Sequence, residues 1–349
     1  MEAVSFRIGR MPRAMDLSTK YLGLHLKHPI VASASPLTST VDGIRALEEA
    51  GAAAVVMPSL FEEQIRGEDR AYAMYTEHGS YSQAEAGSYF PELPDYDRGI
   101  SGHLDTLRRA VAAVRIPVIA SLNGVTLDGW VSYAAKLEQA GAAALELNMY
   151  SIPADPAVSG NEVEARYAEV VRAVKRTVKI PLAVKLSPYF TSTGHFAHRL
   201  VSEGADGLVL FNRFYQPDFD LRTLSVKANL KLSSSHEAGP PLLWIALLSG
   251  QLKGSLAATS GVESVEEVVK YLVAGADAVM TTSALLRHGP GYMKKLVADL
   301  TAWLKENGRS SVSAIQGLRS IKRDADTAEL LRAQYMHLLT GYVPGTLVT

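Results

Sequence analysis

Short, continuously apolar runs recur along the chain, each introduced by a glycine and each ending in polar residues. The helix-like run Trp130 to Ala140 stops at Gly141, where a residue without Cβ takes the left-handed turn that ends helices. An apolar strand follows and closes on Asn148 and Ser151. Ala50-Gly51-Ala52 leads likewise into Ala53 to Met57 and then Ser59. Glu203-Gly204-Ala205 leads into Leu208 to Phe211, then Asn212 and Arg213. Ala274-Gly275-Ala276 leads into Ala278 to Met280, then Thr281, Thr282 and Ser283. Helix, glycine, buried strand and polar exit describe a repeated βα unit. Strands that are apolar throughout, rather than alternating, suit a parallel sheet covered on both faces. Polar residues at the carboxyl ends of such strands stand where these folds place their chemistry.

Taken in order, Asp16 to His28 predicts a small hairpin turning at Gly23, and Pro29 to Ala34 the first barrel strand, followed by Ser35. Val41 to Ala50 predicts a helix and Ala53 to Met57 the second strand. Glu62 to Gly99 holds five tyrosines among prolines and glycines, and a loop of that length in a compact domain is read as a lid. Helix Leu104 to Val114 precedes strand three, Pro117 to Ser121, which ends at Asn123. Strand four is the run into Asn148. Helix Val163 to Thr177 precedes strand five, Pro181 to Leu186, which carries Lys185. Helix Ala197 to Ser202 precedes strand six, which ends at Asn212, and residues 214–240 form a second excursion with strand-like pieces. Helix Pro241 to Leu252, strand seven at Ser255 to Thr259, helix Ser264 to Ala274 and strand eight at Ala278 to Met280 close the series. Helices at Tyr292 to Glu306, Ser311 to Ile315 and Asp326 to Leu339 form a carboxyl-terminal extension. Eight alternating units predict an α/β (β/α)8 TIM barrel rather than an open sheet. No Pro/Ser-rich linker divides it, so residues 15–349 are expected to form one domain. Residues 1–14 are expected to be a disordered tail, with Met15 a second possible start.

Composition narrows this little: 47% of 349 residues are hydrophobic and 20% charged, which suits a globular protein with a large core. A formal net charge of −1 gives no basic excess for nucleic acid or an anionic membrane. No apolar run reaches the roughly 18 residues of a membrane helix. The absence of cysteine removes disulfides, thiolate metal sites, iron–sulfur ligation and a cysteine nucleophile together, and fits a reducing, cytoplasmic setting. The nine histidines show no metal-ligand spacing, and no Walker loop or G-x-G-x-x-G occurs.

Lys185 is the sharpest chemical signal. A lysine inside Leu182-Ala183-Val184-Lys185-Leu186 is costly unless its ammonium reaches an anion or the barrel mouth. It reads either as a structural ion pair with a neighbouring carboxylate, or as a cationic site residue: a Schiff-base lysine, or a stabiliser of negative charge on a cofactor. Thr259-Ser260-Gly261-Val262 and Thr282-Ser283 follow strands seven and eight, the usual phosphate-holding loops of barrels. Asn123, Asn148 and Asn212 all follow strands, and an amide suits a flat heteroaromatic ring or a carboxylate. Ser151 is either a turn residue or a base, and Arg213 either a surface residue or a contact to an anionic substrate.

At these residues the chain resembles the dihydroorotate dehydrogenase family, FMN-bound (β/α)8 barrels of pyrimidine synthesis, and especially its class 1 branch. The similarity runs from about Met15 to Lys322. Its best-matching pieces are Pro29–Thr38, Glu146-Leu147-Asn148, Pro181–Phe190, Phe211-Asn212 and Ala257–Leu285, and Val184-Lys185-Leu186-Ser187-Pro188-Tyr189-Phe190 is the most specific. The resemblance implies that Lys185 meets the isoalloxazine ring at its N1–C2=O edge. It implies FMN contacts from Ala34, Ser35, Ser59, Asn123 and Asn148, with Gly261, Thr282 and Ser283 holding the phosphate. Ser151 falls at the position of the family's catalytic base, and Asn148, Asn212 and Arg213 would orient a small-molecule substrate. The class 1 likeness also implies a homodimer. On the substrate side the chain departs: Pro58 stands where the family has lysine, Tyr89 and Pro153 where it has asparagines, and Ser260 and Thr282 where it uses glycines.

The expected activity is oxidation of a C–C bond next to a carbonyl, by proton removal and hydride transfer to flavin, with an electron acceptor the residues do not specify. A Schiff-base lyase using Lys185, a flavoprotein acting on another substrate, and a non-catalytic flavin-binding paralogue are the alternatives.

Overall fold

The structure is a computed structural model that describes residues 15–63, 65, 100–150, 152–213, 218–227, 231–321 and 327–340. Eight parallel strands close into a barrel: β3 (Ile30–Ala32), β4 (Val55–Phe61), β5 (Val118–Asn123), β6 (Ala144–Asn148), β7 (Leu182–Leu186), β8 (Gly207–Leu210), β11 (Ser255–Ala258) and β12 (Ala278–Thr281). Each neighbour in the ring follows its partner in sequence, and β12 returns to β3. The helices between and after them are α1 (Val41–Glu49), α2 (Ile100–Ala113), α3 (Leu127–Gln139), α4 (Gly160–Thr177), α5 (Thr193–Ser202), α6 (Gly239–Leu248), α7 (Val265–Ala274), α8 (Ser283–His288), α9 (Tyr292–Glu306) and α10 (Thr327–Thr340). This is the (β/α)8 barrel that the repeated unit predicts. Gly51, Gly141, Gly204 and Gly275, the four glycines of the repeat, all take positive φ, between 97° and 116°.

Parity along each strand separates two cores. Leu145 and Leu147, Val184 and Leu186, Leu208 and Leu210, and Leu256 and Ala258 point outward and pack against the helices. Ala144, Ala183, Val209, Ala257, Ala278 and Met280 point inward and form a second, smaller cluster on the barrel axis. Side chains alternate faces along a strand, so Glu146 and Asn148 share the inward face with Ala144, and Lys185 shares it with Ala183.

The inward residues at the barrel's amino-terminal end are small, and the predicted hairpin, β1 (Thr19–Tyr21) and β2 (Leu24–Leu26), closes that end. Leu22 and Gly23 both take positive φ, 52° and 77°, as a two-residue hairpin turn requires. Tyr21 and Leu22 are buried in the inner cluster, and the Leu22 amide donates to Ser255 Oγ at 3.0 Å. Gly207 lies so close to Leu22 that an added Cβ would sit 2.6 Å from its Cδ2.

Carboxylates bracket the strand entries. Glu48, at the end of α1, accepts from the Arg115 and Ile116 amides before β5 at 2.6 and 3.2 Å. Glu138, at the end of α3, accepts from Lys179 and Ile180 before β7 at 2.7 and 3.0 Å. Asp206 accepts from Leu182 at 2.7 Å and Asp277 from Leu256 at 2.8 Å.

Three local expectations are corrected. The second barrel strand does not stop at Met57: β4 runs on through Ser59 to Phe61, with its register shifting between Val56 and Ser59. Pro58 has no N–H for the ladder and is tolerated at that irregularity. Residues 311–315 are not helical but a series of turns, with Ser311 bridging to Asp16. The helix expected to reach Leu252 ends at Leu248, short of Gly250, which has a φ of 74°. The second excursion includes the antiparallel ribbon of β9 (Asp218–Phe219) and β10 (Val226–Lys227). The expected tail, residues 1–14, and the expected lid from residue 66 to Gly99, including Tyr89, lie outside the described residues.

Candidate active site

Lys185 is buried on the inward face of β7, its side chain 10% exposed, and its Nζ lies 3.5 Å from Glu146 Oε1. The ion pair with a neighbouring carboxylate therefore exists, and it does not exhaust the lysine. At that separation it is a loose charge contact, and neither oxygen of Glu146, 1% exposed, has a hydrogen-bond partner among the described residues. In register, Lys185 stands beside Asn148 on one side and Val209 on the other.

A polar chain crosses the mouth next to it. Asn212 Nδ2 donates to Asn148 Oδ1 at 2.5 Å, and Asn148 Nδ2 donates to Ser59 Oγ at 3.0 Å. Ser59 in turn shares a 2.8 Å hydrogen bond with Ser121. Four neighbouring segments are tied together, and each of the two amides is oriented by the group it donates to. Asn123 is buried at the end of β5, beside Phe61 in register, and among the described residues it is not bonded to either asparagine. Arg213, read as a surface residue or a substrate contact, instead pairs with Glu237 at 3.4 Å, its side chain 27% exposed. Ser151 lies outside the described residues.

The loop after β12 meets the loop after β3, and the loop after β11 packs against Ser234 and Ala238. Thr282 Oγ1 donates to the Ala34 carbonyl at 3.4 Å. Ser283 Oγ meets both the amide and the hydroxyl of Ser233, at 3.0 and 2.8 Å. Ser260 and Gly261 take positive φ in succession, 78° and 73°. Serine rarely adopts this conformation, and here its carbonyl is braced by the Tyr271 hydroxyl at 2.7 Å while its own Oγ donates to the Phe211 carbonyl at 3.2 Å. The serine keeps the backbone shape of a glycine. A Cβ on Gly261 would fall 2.7 Å from the Ala238 amide nitrogen and 2.9 Å from the Ser234 carbonyl. The Ser35 amide donates to Thr38 Oγ1 at 3.1 Å, which turns the chain after β3.

Ala34, Gly261, Thr282 and Ser283 thus gather at one corner of the mouth, and Ser59, Asn148 and Asn212 beside Lys185. Sequence reasoning missed Glu146, Ser121 and Ser233 as members of the site. For Glu146 the signal was available: like Lys185, it is a charged residue within an apolar strand. A cleft of about 1030 Å³ opens at the opposite end, against Lys20, Pro181, Asp206 and Asp277. It adjoins the strands' starts rather than their polar exits, so size alone does not mark the site. Among the described residues no cluster of three or more His, Cys, Asp or Glu could hold a metal, and no helix is long and apolar enough to cross a membrane.

The fold is a (β/α)8 barrel that carries a buried cation, Lys185, beside bonded amides toward the strands' carboxyl ends. A family profile described as dihydroorotate dehydrogenase matches residues 16–304. The chain is 29% identical over 312 residues to a protein assigned as dihydroorotate dehydrogenase A (fumarate) in Aeropyrum pernix, covering 86% of this chain and 97% of that one. It is 26% identical to the catalytic subunit of dihydroorotate dehydrogenase B (NAD(+)) in Thermoplasma volcanium, over 88% of this chain and 99% of that one. The corresponding subunit in Methanocaldococcus jannaschii is also 26% identical, over 83% and 94%. The chain belongs to the dihydroorotate dehydrogenase family, oxidoreductases that act on CH–CH donors.

Proposed function

We propose that this chain binds FMN at the carboxyl ends of its barrel strands and oxidises a C–C bond next to a carbonyl. The observation that carries the reading is Lys185: a lysine on the barrel axis, loosely paired, beside the Asn148–Asn212 amides, at the end of the barrel where Ala34, Gly261, Thr282 and Ser283 also lie. These residues fit a phosphate-tailed flavin. The left-handed backbone at Ser260 and Gly261 lets this loop pack closely against Ser234 and Ala238, and backbone with hydroxyls at such a corner suits a phosphate. Ser35, Ser59 and Asn123 would add contacts around the ring.

When bound, FMN supplies the two-electron acceptor; the chain's own residues do the rest. The Lys185 ammonium lies in a water-poor interior, where a fixed cation favours negative charge developing beside it. Asn148 and Asn212 each keep an N–H to offer beyond the bonds that orient them, and Asn212 keeps a carbonyl oxygen. They can therefore fix a planar substrate carrying both donors and acceptors. Ser151 takes the proton from the carbon next to the carbonyl. Arg213 reaches an anionic substrate group if it leaves Glu237.

The curated relatives' names point to dihydroorotate as the substrate. Pro58, in the shifted register of β4, supplies no ammonium where the family has one, and Pro153 supplies no amide. Each hydrogen bond left unmet in a buried site costs about 1–3 kcal/mol, so another planar donor, or flavin binding without turnover, is the second reading. The exposed ribbon residues Phe219, Leu221, Leu224 and Val226 favour a homodimer, since exposed apolar patches mark interfaces. The cytoplasm is the proposed setting.

Purification tests the reading directly: the protein should be yellow and release FMN on denaturation. A colourless protein that takes up no added FMN overturns it. Turnover of dihydroorotate with fumarate or a dye acceptor then separates the two substrate readings, and no flavin bleaching at millimolar dihydroorotate excludes that substrate.

A further inference from the structure

Glu146 is a carboxylate in the wrong place for stability alone. It stands on β6 two residues before Asn148, hence on the same inward face, and it is 1% exposed. The barrel interior beneath it holds Ala144, Ala183, Ala257 and Ala278, none of which has a side-chain donor. The Tyr21 hydroxyl, from the hairpin that closes the barrel, is fully buried and also unpartnered among the described residues. Burial, and after it the charges of Glu146 and Asp277, push that hydroxyl's pKa well above its ordinary value. The cation facing Glu146 is Lys185, one step toward the mouth across the β6–β7 register, where Glu146 pairs with Ala183 and Asn148 with Lys185.

An unpartnered buried carboxylate is costly, so the pair is mutually dependent. Glu146 draws the ammonium toward the barrel axis, and Lys185 is the charge that offsets Glu146. At 3.5 Å the contact is too long to occupy the ammonium's hydrogen-bonding capacity, which leaves it able to act toward the mouth. Opposite charges this close in a low-dielectric interior also partly cancel when felt from a third point.

We propose that Glu146 is a positioning residue for Lys185: it fixes where the ammonium sits and offsets part of its charge, so setting how strongly Lys185 favours a reduced, anionic cofactor. This rests on the FMN reading above. Removing the carboxylate's charge leaves Lys185 acting undiminished, so reduction of the cofactor becomes easier. Tyr21 lies below the pair and carries no charge, so removing its hydroxyl changes this balance less than removing the charge of Glu146.

The test compares the FMN midpoint potential, by spectroelectrochemical titration of the holoprotein, in the wild type, Glu146→Gln and Tyr21→Phe. Glu146→Gln should raise the two-electron potential by about 30 mV or more, a tenfold change in the reduction equilibrium. Reduced FMN should accordingly bind at least tenfold more tightly relative to oxidised FMN, while Tyr21→Phe shifts the potential by less than Glu146→Gln does. Should Glu146→Gln fail to fold, Glu146→Asp, which keeps the charge but draws it back by one methylene, should give a smaller rise. A yellow wild type whose Glu146 variants show an unchanged or lowered potential overturns this role and leaves the FMN reading intact. A wild type that takes up no FMN overturns both.

Discussion

The half-buried carboxylates at the strand entries and the fully buried Glu146 on the barrel axis are treated in opposite ways. At the amino-terminal end each acid is satisfied: Asp206 holds the Leu182 amide and Lys175, Asp277 holds the Leu256 amide and Gln316, and Glu48 and Glu138 each hold two amides. These half-buried acids satisfy the otherwise orphan amide donors at the strands' entries. Higher in the barrel, Glu146 has two oxygens with no hydrogen-bond partner among the described residues, and one ammonium at 3.5 Å. The strand entries are arranged to be satisfied, and so is Glu62 near the mouth, which accepts from the Val125 and Thr126 amides and the Thr126 hydroxyl; Glu146 is the acid left uncommitted among these. A barrel can treat acids both ways because its strand entries and its axis are different surroundings.

The largest expected effect comes from removing the cation. Lys185→Met leaves Glu146 buried without a counter-charge, and breaking a buried pair this way costs about 3–5 kcal/mol. Urea unfolding of the apo-protein measures it. Adding Glu146→Gln should recover much of the loss, because the group left unpaired is then neutral. If Lys185→Met unfolds at the wild-type urea concentration, the pair bears no stability burden and the contrast between the entry acids and Glu146 is wrong.

Gly261→Ala probes the mouth from its loops. The added Cβ meets backbone at 2.7 and 2.9 Å, and φ is 73°, so a loss of about 2 kcal/mol or more is expected from strain alone. Bound flavin should be lost with it. Gly23, at the hairpin turn, has a similar φ of 77° but nothing within 4 Å of an added Cβ. Gly23→Ala should therefore cost less and leave the protein yellow. Equal costs at the two glycines would show that φ, not the crowding at the mouth, decides.

These contrasts also show which features the chain displays locally. The repeat is legible because the glycine that ends a helix and the apolar run behind it are neighbours in sequence, and the strands with their outward face follow from it. Lys185 stands out for the same reason, as a charge inside an apolar run. Its partner depends on barrel register: Glu146 and Lys185 are 39 residues apart, and only the β6–β7 pairing brings them together. Ser233 on Ser283 and Glu237 on Arg213 come from an excursion with no periodicity, so neither contact was readable. Nor was the left-handed Ser260, because the residue type argues against the conformation it adopts. The extension of β4 past Pro58 was missed because proline reads as a strand end.

The amino-terminal end should respond to pH through His28. Its Nε2 donates to the Gly51 carbonyl at 2.7 Å and its Nδ1 accepts from the Ile30 amide at 3.2 Å, so the neutral ring is built into the start of β3. Burial lowers its pKa to about 4. Protonation of the unfolded chain begins near the ordinary value, so the stability is complete above about pH 6.5 and is lost as pH falls toward the folded value. Between pH 7 and 5 the loss should be about 2 kcal/mol. His103, lowered to about 4 by burial, acts in the same direction. Subtracting the urea-unfolding curve of His28→Gln isolates the first contribution, and parallel pH profiles for variant and wild type would remove His28 from it.

The smallest effect belongs to Ser260, where the mouth keeps a strained residue. Ser260→Gly relieves a side chain held at φ 78°, a conformation costing about 1–3 kcal/mol for residues other than glycine. Against that stand the greater freedom of glycine in the unfolded chain, about 0.5–1 kcal/mol, and loss of the Oγ bond to the Phe211 carbonyl. The opposing contributions nearly cancel, so stability should change by less than about 1 kcal/mol, and flavin should be retained because the backbone shape is the one glycine prefers. A Ser260→Gly protein that folds as well as the wild type but loses its flavin would show that the hydroxyl, rather than the turn it sits in, is what the cofactor's corner needs.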